Sequence, residues 1–302
     1  FLVIPMTRIY SFLFLFFLLS APKAYAFTKV SPKACSYSLA DVDYSKADST
    51  KVVKLLREAS RLKSSTNWMT YFGKQFCGVP YVAKTLERNN TERLIVNLRQ
   101  LDCTTFVETT LALTLCAKNG KTSFADYCHY LRLVRYRQGR VSYPSRLHYF
   151  TQWIDDNSSL GFVKEVTSAS KPFTALQTLN IDFMTTHVDL YPMLKGNKSA
   201  IAEVRAGEKA LNGRKFRYIP KRSIDNSSLL RRTIHDGDIL VMLTSKKGLD
   251  TSHIGIAVWH KDGLHLLNAS QLRHKVVVES KLFRDYMLSQ KSQTGIRVVR
   301  VM

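Results

Sequence analysis

Apolar residues along the chain follow two regimes, one spaced for helices and one for strands. In residues 48–63, Val52, Val53, Leu55, Leu56, Ala59 and Leu62 recur mostly at three- and four-residue intervals, which gathers them on one helical face. Similar patterning predicts helices over 103–117 and 122–137, an aromatic-rich helix over 145–157, and a helix over 182–195 broken late by Pro192. From Gly237 onward the pattern changes. Residues 239–243, 253–259, 264–269, 276–278 and 296–301 are short apolar runs at close spacing, and they predict strands. The Asp262-Gly263 pair is a strong hairpin signal, so 253–260 should run antiparallel to 264–270. Helices first and strands later predict an α+β fold, a helical N-terminal part packed on a mainly antiparallel C-terminal sheet. No internal repeat or low-complexity linker divides the chain.

The first residues form a different pattern. Arg8 precedes an apolar run from Ile9 to Leu19, and the small-x-small triplet Ala24-Tyr25-Ala26 follows. That order predicts a secretory signal peptide over 1–26, with Met6 as the start and cleavage after Ala26. An uncleaved anchor is the weaker alternative, because a membrane span needs ~20 apolar residues. The expectation is a single domain over 27–302, exported to the periplasm or secreted, with no stable membrane anchor after cleavage.

Charge narrows the range of partners. Lys and Arg number 45 against 23 Asp and Glu, a formal net charge of +22. A basic exported protein is drawn to polyanions outside the cytoplasm, such as cell-wall peptides, head groups or surface polysaccharides, so nucleic acid is not expected. The densest basic stretch, Arg205 to Arg222, reads as a solvated surface loop or as a ligand patch.

Five cysteines, Cys35, Cys77, Cys103, Cys116 and Cys128, leave at least one thiol unpaired. With Cys103 set aside, the other four allow two bridges in any of three pairings, or stay as free buried thiols. No CxxC and no histidine pair at ligand spacing points to zinc, so no metal is expected.

Cys103 stands out by position. Asp102 is a natural N-cap, which places Cys103 in the first turn of an apolar helix. The positive end of the helix dipole favours a thiolate there. A structural cysteine at a helix start is the other reading. A nucleophile needs a base, and the base needs an orienting group. Among eight histidines, His253 opens a strong strand after Thr251-Ser252, and Asn268 lies on the partner strand of the same hairpin. An amide oxygen there would accept from the imidazole and fix its tautomer.

Several segments carry a resemblance: GVPYVAKTLE (78–87), NLRQLDCTTFVE (97–108), YPSRLHYFTQWIDDN (143–157), HDGDIL (235–240), SHIGIAV (252–258) and LLNAS (266–270). In this order they resemble the NlpC/P60 superfamily of papain-like cell-wall hydrolases, and more narrowly its DUF1460, N-acetylmuramoyl-L-alanine amidase-like branch. The resemblance implies Cys103 as nucleophile, His253 as base and Asn268 as orienter, at a position where histidine is commoner. It implies that Tyr81 lines the site and that Arg146 and Tyr149 belong to the substrate pocket. Lys84 stands where glycine is more usual. The implied reaction is hydrolysis of the amide joining N-acetylmuramic acid to L-alanine in peptidoglycan or muropeptides, with no metal or other cofactor. A cut between D-glutamate and the diamino acid, a thiol acyltransferase and a non-catalytic cell-wall-binding protein are the alternatives.

Overall fold

The structure, a computed structural model, describes residues 38–302. Nine helices are described: α1 (Lys46–Ala59), α2 (Trp68–Lys74), α3 (Cys103–Lys118), α4 (Phe124–Arg135), α5 (Phe150–Ser159), α6 (Phe183–Thr186), α7 (Lys198–Leu211), α8 (Ser228–Thr233) and α9 (Phe283–Ser289). The strands are β1 (Val42–Tyr44), β2 (Leu94–Val96), β3 (Val163–Val166), β4 (Ala175–Thr178), β5 (Lys215–Pro220), β6 (Ile239–Thr244), β7 (Thr251–Trp259), β8 (Leu264–Ser270), β9 (Lys275–Val278) and β10 (Gln293–Val301). The helices come mostly first and the main strands last, giving the α+β fold expected from the pattern.

An eight-stranded sheet runs in the order β4-β5-β10-β6-β7-β8-β9, with β3 also paired to β10. All of its strand pairs are antiparallel. β1 and β2 form a small parallel pair. The central strands are buried on both faces. Ile254, Ile256 and Val258 of β7 join the core shared with α1 to α4, while Ala257 joins a second core under α8 and α9. Cover on both sides is why 253–259 reads as a nearly unbroken apolar run rather than an alternation. A third, smaller core lies beneath α7.

A buried ion pair and a buried carboxylate tie down the helix that begins at Cys103 and the segment leading into it. Arg135 of α4 donates to Glu108 of α3 at 2.6 Å and to the Ile95 carbonyl at 2.7 Å, with both charged side chains 2% exposed. Asp48 lies in the first turn of α1, in a reciprocal capping box with Ser45. Its carboxylate also accepts from the Leu98 main chain at 2.9 Å, fixing the segment that leads into Cys103.

Three expectations change. Residues 145–157 become helical only at Phe150, because Pro144 sits in a 3-10 turn and Arg146 is extended. The 182–195 pattern yields α6 and one 3-10 turn; Pro192 disfavours helical backbone at the residue before it. The basic stretch from Arg205 is no loop: it holds the second half of α7 and all of β5. Ala200, Val204, Glu208 and Leu211 form the buried stripe of α7 that its exposed charges hide.

Cys77, Cys103, Cys116 and Cys128 are all free thiols, so no bridge forms among these four. The predicted signal peptide and Cys35 lie outside the described residues. Among those described, no helix is long and apolar enough to cross a membrane.

Candidate active site

Asp102 caps α3 as its position predicts. Its carboxylate accepts the Thr105 N–H at 2.8 Å, and the Thr105 hydroxyl accepts the Asp102 N–H at 2.9 Å. This closed box fixes where the helix begins, and with it the direction of the Cys103 side chain. The first helical N–H groups have no carbonyl one turn back to bond, so they remain available to an anion.

Cys103 is half-buried and meets β7 at Ile254, whose main-chain N–H reaches the sulfur; Ile254 directly follows His253. The helix start was expected to lower the thiol pKa. Burial acts the other way, and with the neighbouring Asp102 charge it pushes the thiol up to about 12, against hydrogen bonds from Ile254 and Thr104. Burial likewise lowers His253 from the ordinary histidine value, opposed by its bond to Asn268 and by the charges of Glu279 and Asp102. The resting site therefore holds a thiol and a neutral imidazole.

The hairpin geometry explains how His253 is held. Its Nε2 lies 2.9 Å from the Asn268 amide oxygen, so Nε2 carries the proton and Nδ1 keeps its lone pair. Ile256 pairs with Leu267, and extending that register puts Gly255 opposite Asn268. A glycine there leaves room for the amide to reach diagonally to residue 253, two positions along the same face. A Cβ on Gly255 would lie 3.0 Å from the Asn268 Cβ and 2.9 Å from the Leu267 carbonyl oxygen.

A fourth member was not singled out in the sequence. Glu279, just past β9, is buried and accepts from the Asn268 amide nitrogen at 3.4 Å and from Arg273 at 3.3 Å. Since Asn268 pairs with Val277, Glu279 continues the same diagonal, and the row His253–Asn268–Glu279 runs from β7 across β8 to the residue that follows β9. The carboxylate accepts only, so it orients the amide with nitrogen toward itself and oxygen toward the imidazole. Only the register of β8 against β9 brings it into this row.

Tyr81 sits beside Cys103 and Asp102; burial above all, with the nearby Cys103 and Asp102 adding to it, pushes its phenol up to about 12. Its N–H donates to the His274 carbonyl at 2.9 Å, and Val82 and Leu101 lace the segment to the approach to Cys103. Lys84 has φ 61°, so the glycine-type backbone is kept despite the lysine. The other two pocket candidates have protein partners instead. Arg146 is 6% exposed and pairs with Glu87 and Glu92 under the Tyr143 ring. Tyr149 is buried, donating to Glu208 at 2.7 Å and accepting from the Met184 N–H at 3.0 Å. The residues shared by the site are thus Cys103, His253, Asn268 and Tyr81, with Glu279 added.

Residues 71–296 match the model of the AmiA-like family, N-acetylmuramoyl-L-alanine amidase-like. The chain belongs to this amidase-like family. A Bacteroides uniformis ATCC 8492 structure named an N-acetylmuramoyl-L-alanine amidase is 35% identical, with 81% of this chain and 99% of that one covered and a TM-score of 0.73. A Bacteroides fragilis structure provisionally named a xylanase is 41% identical, covering 76% and 99% of the two chains, with a TM-score of 0.71. A Legionella pneumophila structure of the DUF1460 family shares the amidase-like fold at 21% identity, covering 85% and 95%, with a TM-score of 0.66. No functionally curated protein matches the chain. Membership of the amidase-like family implies a hydrolase with a peptidoglycan-type substrate.

Proposed function

We propose that the protein is a papain-like cysteine amidase of the NlpC/P60 type, exported by a signal peptide over 1–26, with one catalytic domain over 27–302. It would hydrolyse the N-acetylmuramoyl–L-alanine amide of peptidoglycan or muropeptides. The observation that carries this reading is the row from His253 through Asn268 to Glu279, set beside a thiol at the start of α3.

In this reading Cys103 gives its proton to His253 Nδ1 as the sulfur attacks the lactyl carbonyl. Burial opposes a free thiolate, so deprotonation and attack are coupled through the imidazole. Main-chain N–H groups at the start of α3 receive the oxyanion. The imidazolium protonates the leaving alanine nitrogen, and the neutral ring then activates water to hydrolyse the thioester. Asn268 is the orienter, Glu279 positions Asn268, and Tyr81 lines the groove. Exposed Lys84 and Lys275 flank the segment around Tyr81 and supply charge for stem-peptide carboxylates.

The xylanase name of one relative asks for a different device, two carboxylates flanking a glycosidic bond. Here Asp102 is engaged in the helix cap and Glu279 is buried behind Asn268.

The test is a digest of purified muropeptides and of xylan, read by mass spectrometry, with the wild-type protein and Cys103→Ala. The expected result is separation of sugar from L-alanine, lost by at least about a thousandfold in Cys103→Ala. Intact muropeptides with a folded protein, a cut after D-glutamate, xylan fragments, or activity that survives Cys103→Ala would each overturn the reading.

A further inference from the structure

The tip of the β7–β8 hairpin carries a cluster that the proposed reaction does not use. His260, Asp262 and His265 present ligand atoms that all lie within 4.8 Å of one another. Their spacing in sequence resembles no zinc motif; the turn is what brings the two histidines together, with ring centroids 4.5 Å apart.

The hydrogen bonding fixes the chemistry at His265. This ring is 4% exposed, and its Nδ1 lies 2.8 Å from the Glu279 main-chain carbonyl. A carbonyl only accepts, so Nδ1 carries the proton. Nε2 then faces the two Asp262 carboxylate oxygens, each at 3.2 Å. A neutral ring would aim its lone pair at two anionic oxygens. A positive occupant between them removes that conflict, either a second proton or a metal ion. Equal distances to both oxygens suit an ion shared between them as well as a forked hydrogen bond from a protonated ring, and the third ligand, His260, is what points to the ion.

The frame around the cluster is preorganised. The His260 N–H bonds the Gly263 carbonyl at 2.8 Å, and Asn226 accepts from Leu264 at 3.4 Å while donating to the Asp262 carbonyl at 3.0 Å. An imidazole whose other nitrogen donates to a backbone carbonyl is the usual form of a metal-bound histidine. Two imidazoles and a carboxylate, with one position left for water, suit Zn²⁺ or a neighbouring divalent transition ion rather than Mg²⁺.

We propose that His260, Asp262 and His265 bind a divalent transition-metal ion that clamps the β7–β8 hairpin. The ion is structural. It lies three residues along β8 from Asn268, and Glu279 serves both, its carbonyl holding His265 and its carboxylate holding Asn268.

Zinc chloride is titrated calorimetrically into metal-free, full-length Cys103→Ala protein, so that the thiol beside His253 cannot ligate it, and melting temperatures are recorded with zinc and with magnesium. One equivalent should bind with a Kd below about 10 µM and raise the melting temperature, while magnesium should not. His260→Ala and Asp262→Asn, both at exposed positions and added to the same background, should melt normally without metal and bind zinc at least about tenfold more weakly. Unchanged zinc affinity in both variants, or no binding at 100 µM zinc on the order expected of a weak surface site, would overturn the proposal and leave a plain Asp262–His265 ion pair.

Discussion

At the scale of single residues, the site turns on which groups are neutral. Burial lowers His253, and Asn268, Glu279 and Asp102 raise it only in part. In the proposed mechanism His253 is the base, so acid should remove it by protonation, at a pH below the ~6.5 of an unperturbed histidine. We expect kcat/KM to be flat near neutrality and to fall on the acid side with a midpoint below about 6.5. Glu279→Gln removes a charge that favours the imidazolium, so its midpoint should move further down, with kcat reduced and KM little changed. A midpoint that stays or rises in this variant would remove Glu279 from the site. Cys103, His253 and Asn268 were legible in the sequence because they sit at a helix cap, at a strand start and across a signalled hairpin. Glu279 was not, because its role depends on the register between β8 and β9, and no local pattern announces it. The partners of Arg146 were hidden for a related reason, since Glu87 and Glu92 lie far from it along the chain.

At the scale of elements, the hairpin of β7 and β8 works as one unit, and Gly255 is the point where its two backbones lie tightest against each other. A Cβ there would meet Leu266 Cδ1 at 2.7 Å as well as the Leu267 oxygen and Asn268. Backbone cannot yield as a side-chain tip can. Gly255→Ala should cost about 1–3 kcal/mol in urea unfolding and lower kcat by displacing the Asn268 amide. Gly73→Ala meets only side-chain carbons, of Leu267, Ile256 and Phe106, and should leave kcat near wild type. Full activity in Gly255→Ala would show that the diagonal reach to His253 does not depend on the glycine. The strands from 239 onward were readable because each is a short apolar run between turn residues. α7 was not, since its apolar stripe is narrow and flanked by charges, and α2, α8 and α9 are too short to show a period.

At the scale of the whole molecule, the strongly basic composition, a net charge of +22 over the full sequence, should favour the approach of an anionic substrate. Surface fields of this kind are screened over ~10 Å at 0.1 M salt. Raising sodium chloride from about 50 mM to about 500 mM should therefore increase KM for carboxylate-bearing muropeptides severalfold while leaving kcat unchanged. A salt-independent KM would mean that the charge plays no part in capture. Composition disclosed this charge without its distribution; the placing of Lys84 and Lys275 near Tyr81 emerges only when two distant segments meet. The α+β order, by contrast, was plain from the change of period near Gly237.

The double burial of β7 bears on how the protein acquires activity during folding. Ile254, Ile256 and Val258 belong to one core and Ala257 to the other, so β7 settles only when both have closed. A nascent chain with either core open already possesses its cysteine, yet no base is held beside it. If Cys103 and His253 act as proposed, hydrolytic power depends on both cores being closed, and catalysis doubles as a readout of how completely the chain is packed.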